Sequence, residues 1–245
     1  MKNYNCFFRI LFVLCALTLY VFSNSPVTAA TFSIGSMNIT SGIYTVWDSS
    51  GALIINPDTG NTVSSFTTFG PNTNLVSGYI GNGGTGVPAT TPDPDSIASA
   101  PWFGLVFNTY TAASNLGDDV TPAGTISGGP VPSGVLDNIN NTIAMDLSSF
   151  FGSWGDVDID FGTGKNDGIT SALATGTWNP VTGAYSMTWM STVANTVGGP
   201  CLPTNCVAQF TFEGTASPVP IPAAIWLFGS GLLGLLGVAR SRKAA

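Results

Sequence analysis

Between Arg9 and Arg240 the chain carries a single basic residue, Lys165, against thirteen acidic residues. The five other basic residues lie within the first nine and the last six positions, so residues 31–239 carry a net charge of −12. A body with one cation has almost no scope for ion pairs, so its fold must rest on apolar packing, turns and backbone pairing. The acidic charge also excludes a basic nucleic-acid-binding surface. The absence of His excludes His-dependent catalysis and His-ligated metals.

The body alternates short runs of β-branched and aromatic residues with Gly, Pro, Asn and Asp, and no window has a long helical period. This pattern predicts short strands, in a single domain over residues 31–216. The predicted strands are Thr31–Thr40, Ile43–Trp47, Ala52–Ile55, Thr62–Phe69, Leu75–Ile80, Phe103–Tyr110, Ile143–Leu147, Asp156–Phe161, Ser171–Trp178, Ala184–Met190 and Val207–Gly214. Their number and spacing favour an all-β antiparallel β-sandwich or jelly roll, with an open barrel as the alternative.

Two stretches of sequence predict the same tight turn. Asn56–Gly60 and Asn179–Gly183 both begin with Asn-Pro and end with Gly, which can adopt the left-handed conformation that closes such a turn. Two longer stretches, Gly81–Pro101 and Ser114–Asn140, are rich in Gly, Pro and Asp and are predicted to be irregular. Loops of this length are either functional or tolerated insertions.

The N-terminus has the organisation of a secretory signal peptide. Lys2 and Arg9 precede the uncharged run Ile10–Phe22, which is too short to span a bilayer comfortably. Small residues before Ala29 and Ala30 predict cleavage after one of them, so the first thirty residues form the signal. Export through the Sec translocon and cleavage by signal peptidase follow from this interpretation, and an uncleaved anchor is the alternative.

The C-terminus carries a second membrane signal. Residues 221–239 contain no charge and reach about 28 Å as a helix at ~1.5 Å per residue, just enough to cross a bilayer. We therefore predict a transmembrane helix over residues 223–239. The basic tail, residues 240–245 with Arg240, Arg242 and Lys243, would stop transfer and favours retention of this end on the cytoplasmic side of the membrane.

The residues around this helix resemble a known group of sorting signals. Ser217–Leu235 reads SPVPIPAAIWLFGSGLLGL and is followed by the basic tail, as in PEP-CTERM sorting signals, in particular the variant built on Val-Pro-Leu-Pro-Ala. Here Ile221 stands where that variant has Leu, and the prolines keep the segment extended. The sorting domain covers residues 217–245, with a proline motif over 218–223. Its motif residues are Val219, Pro220, Ile221, Pro222 and Ala223.

The resemblance implies recognition by an exosortase, an integral-membrane protease or transpeptidase that cuts near the proline motif. It further implies an exported bacterial protein that passes through an inner-membrane intermediate to the cell surface or extracellular matrix, in association with exopolysaccharide.

The four cysteines divide into two pairs. Cys6 and Cys15 lie in the predicted signal peptide and leave with it. Cys201 and Cys206 remain, and in an exported protein such a pair predicts a disulfide that closes a small loop. A redox pair would favour Cys-x-x-Cys spacing, and two cysteines alone make a poor zinc site.

Three carboxylates follow one another at every second position of a predicted strand, Asp156, Asp158 and Asp160. They share one face of that strand and repel one another unless water or a cation separates them. With Asp167 at the twelfth position, the spacing resembles a calcium loop, although Phe161 replaces the glycine of its sixth position. The sequence therefore supports two interpretations, a solvated strand face or a calcium site formed by these four aspartates.

Aromatic side chains offer a further hypothesis, a glycan-binding module assisted by calcium. The residues that could present aromatic faces to a sugar are Trp47 beside Asp48, Trp102, Trp154 and Trp178, although Trp more often fills a core. A glycoside hydrolase is the less favoured alternative, because paired acids occur without a signature. Lys165 is expected in an exposed turn. We therefore predict a non-catalytic surface or matrix protein with no required cofactor.

Overall fold

The computed structural model describes residues 31–80, 91–111, 129–154, 157–193, 201, 205–219 and 231. These residues form twelve strands and one 3₁₀ turn, Gly70–Thr73. The strands are β1 (Thr31–Trp47), β2 (Val63–Ser65), β3 (Thr67–Thr68), β4 (Ala98–Trp102), β5 (Leu105–Thr111), β6 (Ser133–Asp137), β7 (Thr142–Asp146), β8 (Phe150–Trp154), β9 (Val157–Asp160), β10 (Ala174–Trp178), β11 (Ala184–Val193) and β12 (Cys206–Pro218).

The strands form two antiparallel sheets. The larger has the order β12-β11-β10-β7-β6-β1-β2, and β1 also pairs with β12, so six of its strands close into a barrel. The smaller has the order β3-β4-β5-β8-β9. The all-β antiparallel prediction is therefore confirmed. The barrel closure differs from a sandwich of two open sheets. It arises because β1 pairs with β6 along one edge and with β12 along the other.

β1 merges two predicted strands into one. Thr31–Thr40 and Ile43–Trp47 are continuous, with register irregularities against β12 between Ile34 and Ser36 and between Ile39 and Ser41. Such irregularities add twist and let a long strand curve around a barrel.

Other strand predictions need correction. The predicted irregular stretches contain β4 and β6, and β8 was not predicted at all. Conversely, residues 75–80 form turns, and residues 52–55 contribute only an isolated bridge between Trp47 and Leu53. The missed strands are short and contain Gly, Ala, Ser or Pro, which weakens the β signal in the sequence.

The two predicted Asn-Pro turns have the same geometry. In each, the closing glycine donates its amide hydrogen to the carbonyl of the leading Asn, with an N···O distance of 2.8 Å for both Gly60 and Gly183. In each, the Asn side chain also accepts the amide of the residue two positions on. Both glycines have positive φ, 71° and 74°, as the turn requires.

One aromatic core joins the two sheets. Trp189 stacks on Phe210 at a centroid distance of 5.0 Å, and Phe150 of the smaller sheet meets Trp189 edge-on at 5.3 Å. Phe161 also packs on Phe210 at 5.1 Å. Alternate positions of β11 and β12, among them Tyr185, Met187, Trp189, Phe210 and Phe212, are all buried in this core.

Candidate functional site

Four of the five described tryptophans belong to the interior. Trp178 and Trp189 are fully buried, and each indole N–H donates to a backbone carbonyl. Trp102 and Trp154 pack against the core and line a cavity of about 40 Å³ between the sheets, and the Trp154 indole donates to the Trp102 carbonyl at 2.8 Å. The hypothesis that Trp178 presents an aromatic face to a sugar is wrong, because its ring is part of the core.

Trp47 differs from these four tryptophans because it lies outside the core cluster. Like Trp102, it is half-buried, and its indole N–H has no hydrogen-bond partner among the described residues. The alternation of β1 explains why: Tyr44 and Val46 point inward, so Trp47 lies on the outer surface of the barrel. In register, Trp47 is opposite Val207 of β12, which is opposite Thr192 of β11.

These residues begin a surface groove of about 520 Å³, which we call the Trp47 groove. Its floor consists of outward-facing residues of β11 and β12. Its two walls are tight turns, one after Trp47 and one around Asp167. The residues that line it are Trp47, Asp48, Ser49, Gly51, Asp167, Ile169, Met190, Thr192, Asn205, Cys206 and Val207.

Asp48 organises the first wall. Its Oδ1 accepts hydrogen bonds from the Ser50 amide and hydroxyl and from the Ala52 amide, at 2.9, 2.7 and 2.9 Å. These bonds lower the pKa of Asp48, the Ser50 hydroxyl most and then the Ala52 amide, so the carboxylate is ionised at neutral pH. None of these three bonds involves its Oδ2.

Asp167 organises the second wall in a similar way. Its Oδ1 accepts the amides of Ile169 and Thr170, and its Oδ2 accepts the hydroxyls of Thr170 and Thr192, both at 2.6 Å. Burial alone would raise the pKa of Asp167, but the hydroxyl bonds from Thr170 and Thr192 lower it to about 2. A carboxylate offers about four acceptor positions, and here protein donors occupy four.

The described aspartates of the predicted calcium site have different surroundings and different partners. Asp160 is buried and its Oδ1 lies 3.5 Å from the Lys165 ammonium, whereas Asp167 closes its own turn. Asp158 is half-buried on the same strand as Asp160, and Asp156 lies outside the described residues. Among the residues described here, no three acidic or cysteine side chains are placed to hold a metal ion. Calcium binding therefore stays a prediction.

Lys165 corrects an expectation. The sequence places it in an exposed turn, but only 4% of its side chain is exposed. Its ammonium donates to the backbone oxygen of Asp160 at 2.6 Å, the Ser191 hydroxyl at 2.8 Å and the Thr192 oxygen at 3.1 Å. The single cation of the body thus fastens the segment after β9 to β11, beneath the second wall of the groove.

The predicted disulfide is confirmed. Cys201 and Cys206 are joined, with their Cα atoms 5.1 Å apart. Both cysteines are buried, and Cys206 is the first residue of β12, beside the groove. The bond therefore fixes the point at which the chain enters the floor strand.

The predicted processing sites are described only at their edges. Ala29, Ala30, Pro220 to Ala223 and the basic tail lie outside the described residues. Val219 is half-exposed, and its amide donates to the Ser33 carbonyl at 2.9 Å, while Pro218 is opposite Ile34. The start of β1 and the end of β12 therefore meet at one end of the barrel, which we call the terminal pole.

The Trp47 groove lies at the other end of the same strand pair. From Ser33 to Trp47 the path along β1 is about 45 Å at ~3.3 Å per residue. No helix formed by the residues described above has the length and apolar character needed to cross a bilayer. Comparisons with protein-family models, curated proteins and solved structures return no match.

Sequence reasoning singled out Trp47, Asp48 and Asp167, but for separate reasons, and it did not bring them together. It missed Met190 and Asn205 as groove residues. Met190 ends the predicted strand Ala184–Met190, and the alternation of β11, whose residues Met187 and Trp189 point inward, could have indicated its outward position. Nothing in the local sequence of Asn205 distinguishes it.

Proposed function

We propose that the protein is an exported cell-surface or extracellular-matrix protein, sorted by an exosortase through a C-terminal signal of the PEP-CTERM type. Its role is structural or interactive rather than catalytic, and exopolysaccharide is the proposed surrounding material. The proposal rests first on the residues: a signal peptide over the first thirty residues, the proline motif over 218–223, a membrane helix and a basic tail.

The observation that carries the proposal is the terminal pole. Thr31, the first residue after the predicted signal, begins β1, and Val219, the first residue of the sorting motif, is bonded to the Ser33 carbonyl. Both membrane-linked segments would therefore leave the folded body at the same end. A body tethered in this way can fold outside the membrane with both cleavage sites directed towards it.

Two further features support export. The disulfide between Cys201 and Cys206 is typical of oxidising compartments. The net charge of −12 over residues 31–239 suits a body that is translocated while its basic ends are retained. Translocation uses the Sec machinery and signal peptidase, and the inner-membrane intermediate then passes to the exosortase.

Mass spectrometry of the protein from its own host tests the proposal. We expect a mature N-terminus at residue 30 or 31 and a C-terminus between residues 217 and 223. Neutralising the tail with Arg240→Ala, Arg242→Ala and Lys243→Ala should prevent processing and leave the C-terminus intact. The matched control, Arg240→Lys, Arg242→Lys and Lys243→Arg, keeps the charge and should still be processed. A wild-type protein that retains residues 240–245 at the cell surface would contradict exosortase processing.

Calcium-assisted glycan binding is the second candidate function, and the Trp47 groove is the observation that favours it. Calorimetry separates its calcium component from the glycan component. If calcium binds, Asp158→Asn with Asp160→Asn should abolish the heat of binding. An absence of heat with the wild-type protein would contradict the calcium component.

A further inference from the structure

We propose that the Trp47 groove binds a neutral oligosaccharide chain, by stacking a sugar ring on the Trp47 indole. This inference names the partner class for the interactive role proposed above, but the geometry of the groove does not depend on export.

The Trp47 ring has the properties that a sugar platform needs. It is half-buried, so the strand holds it while part of its surface stays accessible. Its indole N–H is unpartnered among the described residues, as is that of Trp102 in the core, whereas the indole N–H groups of Trp154, Trp178 and Trp189 donate to backbone carbonyls. An aromatic face with an electron-rich surface attracts the C–H groups of a sugar ring, and the free N–H can donate to a sugar hydroxyl.

The walls are rigid before any ligand arrives. Asp48 and Asp167 each accept two or more backbone or hydroxyl donors of their own turns, so neither wall needs to be ordered on binding. Ordering costs are a large part of the free energy that weak ligands must overcome. From Trp47 across Val207 to Thr192 the floor spans two strand spacings, about 10 Å. That span suits a chain of linked sugar rings rather than a single small molecule.

The charge of the groove selects among polymers. Asp48 and Asp167 are both ionised at neutral pH, and the body around them is strongly acidic. An anionic chain is therefore repelled. A cationic chain is attracted to the acidic body as a whole, but in the groove the four acceptor positions of Asp167 are already occupied by protein donors. The rest of the lining is indole, aliphatic, thioether, hydroxyl and amide, which matches the mixed apolar and hydroxylated surface of a neutral sugar.

The position of the groove agrees with this partner. It lies about 45 Å along β1 from the terminal pole, so a body held at that pole would present the groove on its far side. A second copy of the chain is a poor occupant, because two strongly acidic bodies repel each other.

The test uses the full chain, purified in a detergent without a sugar headgroup and labelled with ¹⁵N. The probes are hexasaccharides of three kinds: neutral β-1,4-glucan, β-1,3-glucan and mannan; anionic polygalacturonate; and cationic chitosan. We expect at least one neutral probe to shift the Trp47 indole resonance, which Trp47→Phe identifies by its loss. We expect Trp47→Ala to weaken that binding by about tenfold or more.

Two controls keep the result interpretable. Trp47→Phe retains an aromatic face and should keep most of the affinity, and Val181→Ala, at a 91% exposed position outside the groove, should change nothing. The proposal is overturned if no neutral probe binds, if binding is unchanged in Trp47→Ala, or if only polygalacturonate or chitosan binds. Failure here leaves the processing of the chain in its host unaffected, so the two proposals fail separately.

Discussion

The aromatic core and the Trp47 groove contain the same types of side chain, tryptophan and aspartate, in a buried environment and at the surface. In the core, Trp189 is surrounded by rings and its N–H is bonded to the Phe161 carbonyl at 2.9 Å. In the groove, Trp47 is half-buried and its N–H has no partner among the residues that the structure describes. The acids show a similar contrast, since Asp160 faces a buried ammonium whereas Asp48 accepts hydrogen bonds within its own surface turn. The difference separates residues that specify the fold from residues free to bind.

Replacing Trp189 by Ala should produce the largest effect on stability. The change opens a cavity among Phe150, Phe210 and Phe212 and leaves the Phe161 carbonyl without its donor. We expect a loss of about 3–5 kcal/mol in the free energy of unfolding, measured by urea denaturation. A loss comparable to that of Trp47→Ala would break the distinction between core and groove.

Lys165→Met should have the next largest effect. It removes the cation beside the buried Asp160 carboxylate, together with donors to the Ser191 hydroxyl and the Thr192 carbonyl. Breaking a buried ion pair from one side costs about 3 kcal/mol. The double variant Lys165→Met with Asp160→Asn should recover part of that loss in the same urea measurement. If the double variant is less stable than the single, the ion pair is not the source of the effect.

The sequence predicts the core better than it predicts the smaller sheet. β11 alternates between apolar and polar residues over Tyr185–Trp189, and β12 does so over Ala208–Glu213, so these strands and their inward faces follow from the pattern. β4 reads Ala-Ser-Ala-Pro-Trp and is buried at Ala98, Ser99 and Ala100, so no alternation marks it. In β8, Gly152 weakens the strand signal, yet a Cβ there would lie 2.0 Å from the Phe107 ring. That glycine is required by a contact that only the tertiary fold reveals.

The groove could be predicted only in pieces. Trp47 and Asp48 are adjacent in the sequence, whereas Asp167 is bonded to Thr192 of β11. Thr192 is brought near Trp47 by the pairing of β11 with β12 and of β12 with β1. Pairing between strands so distant in sequence is not encoded by any local pattern. The burial of Lys165 could not be predicted for the same reason. Its partners Asp160 and Ser191 lie on β9 and β11, and only the tertiary fold brings these two strands together around it.

Removing the disulfide tests how much the bond at the start of β12, between the core and the groove, contributes to stability. Cys201→Ala with Cys206→Ala should lower the free energy of unfolding by about 2 kcal/mol, because the bond closes a short loop and restricts the unfolded chain. Urea denaturation of the wild type with and without a reductant provides the matching measurement. An unchanged midpoint on reduction would show that the bond does not contribute to stability.

The second wall of the groove should respond to acid. The hydroxyl bonds of Thr170 and Thr192 hold the pKa of Asp167 at about 2, below its ordinary value of 3.8. This carboxylate therefore stabilises the fold fully above pH 4, and the contribution is lost as the pH falls towards 2. After discounting for solvent screening, we expect this contribution to the free energy of unfolding to be about 1 kcal/mol. Thr170→Val should shrink the difference in unfolding free energy between pH 5 and pH 2, and an unchanged difference would contradict the assignment.

Trp47→Ala should have the smallest effect on stability, about 0.5 kcal/mol or less, because Trp47 lies outside the core and its N–H bonds to no described residue. Urea denaturation beside Trp189→Ala gives the matched comparison, the same substitution at an inward and an outward position. A small loss of stability together with loss of glycan binding would separate folding from recognition at a single side chain. A loss above about 2 kcal/mol would instead place Trp47 among the residues that specify the fold, and the groove would then lack its open aromatic face.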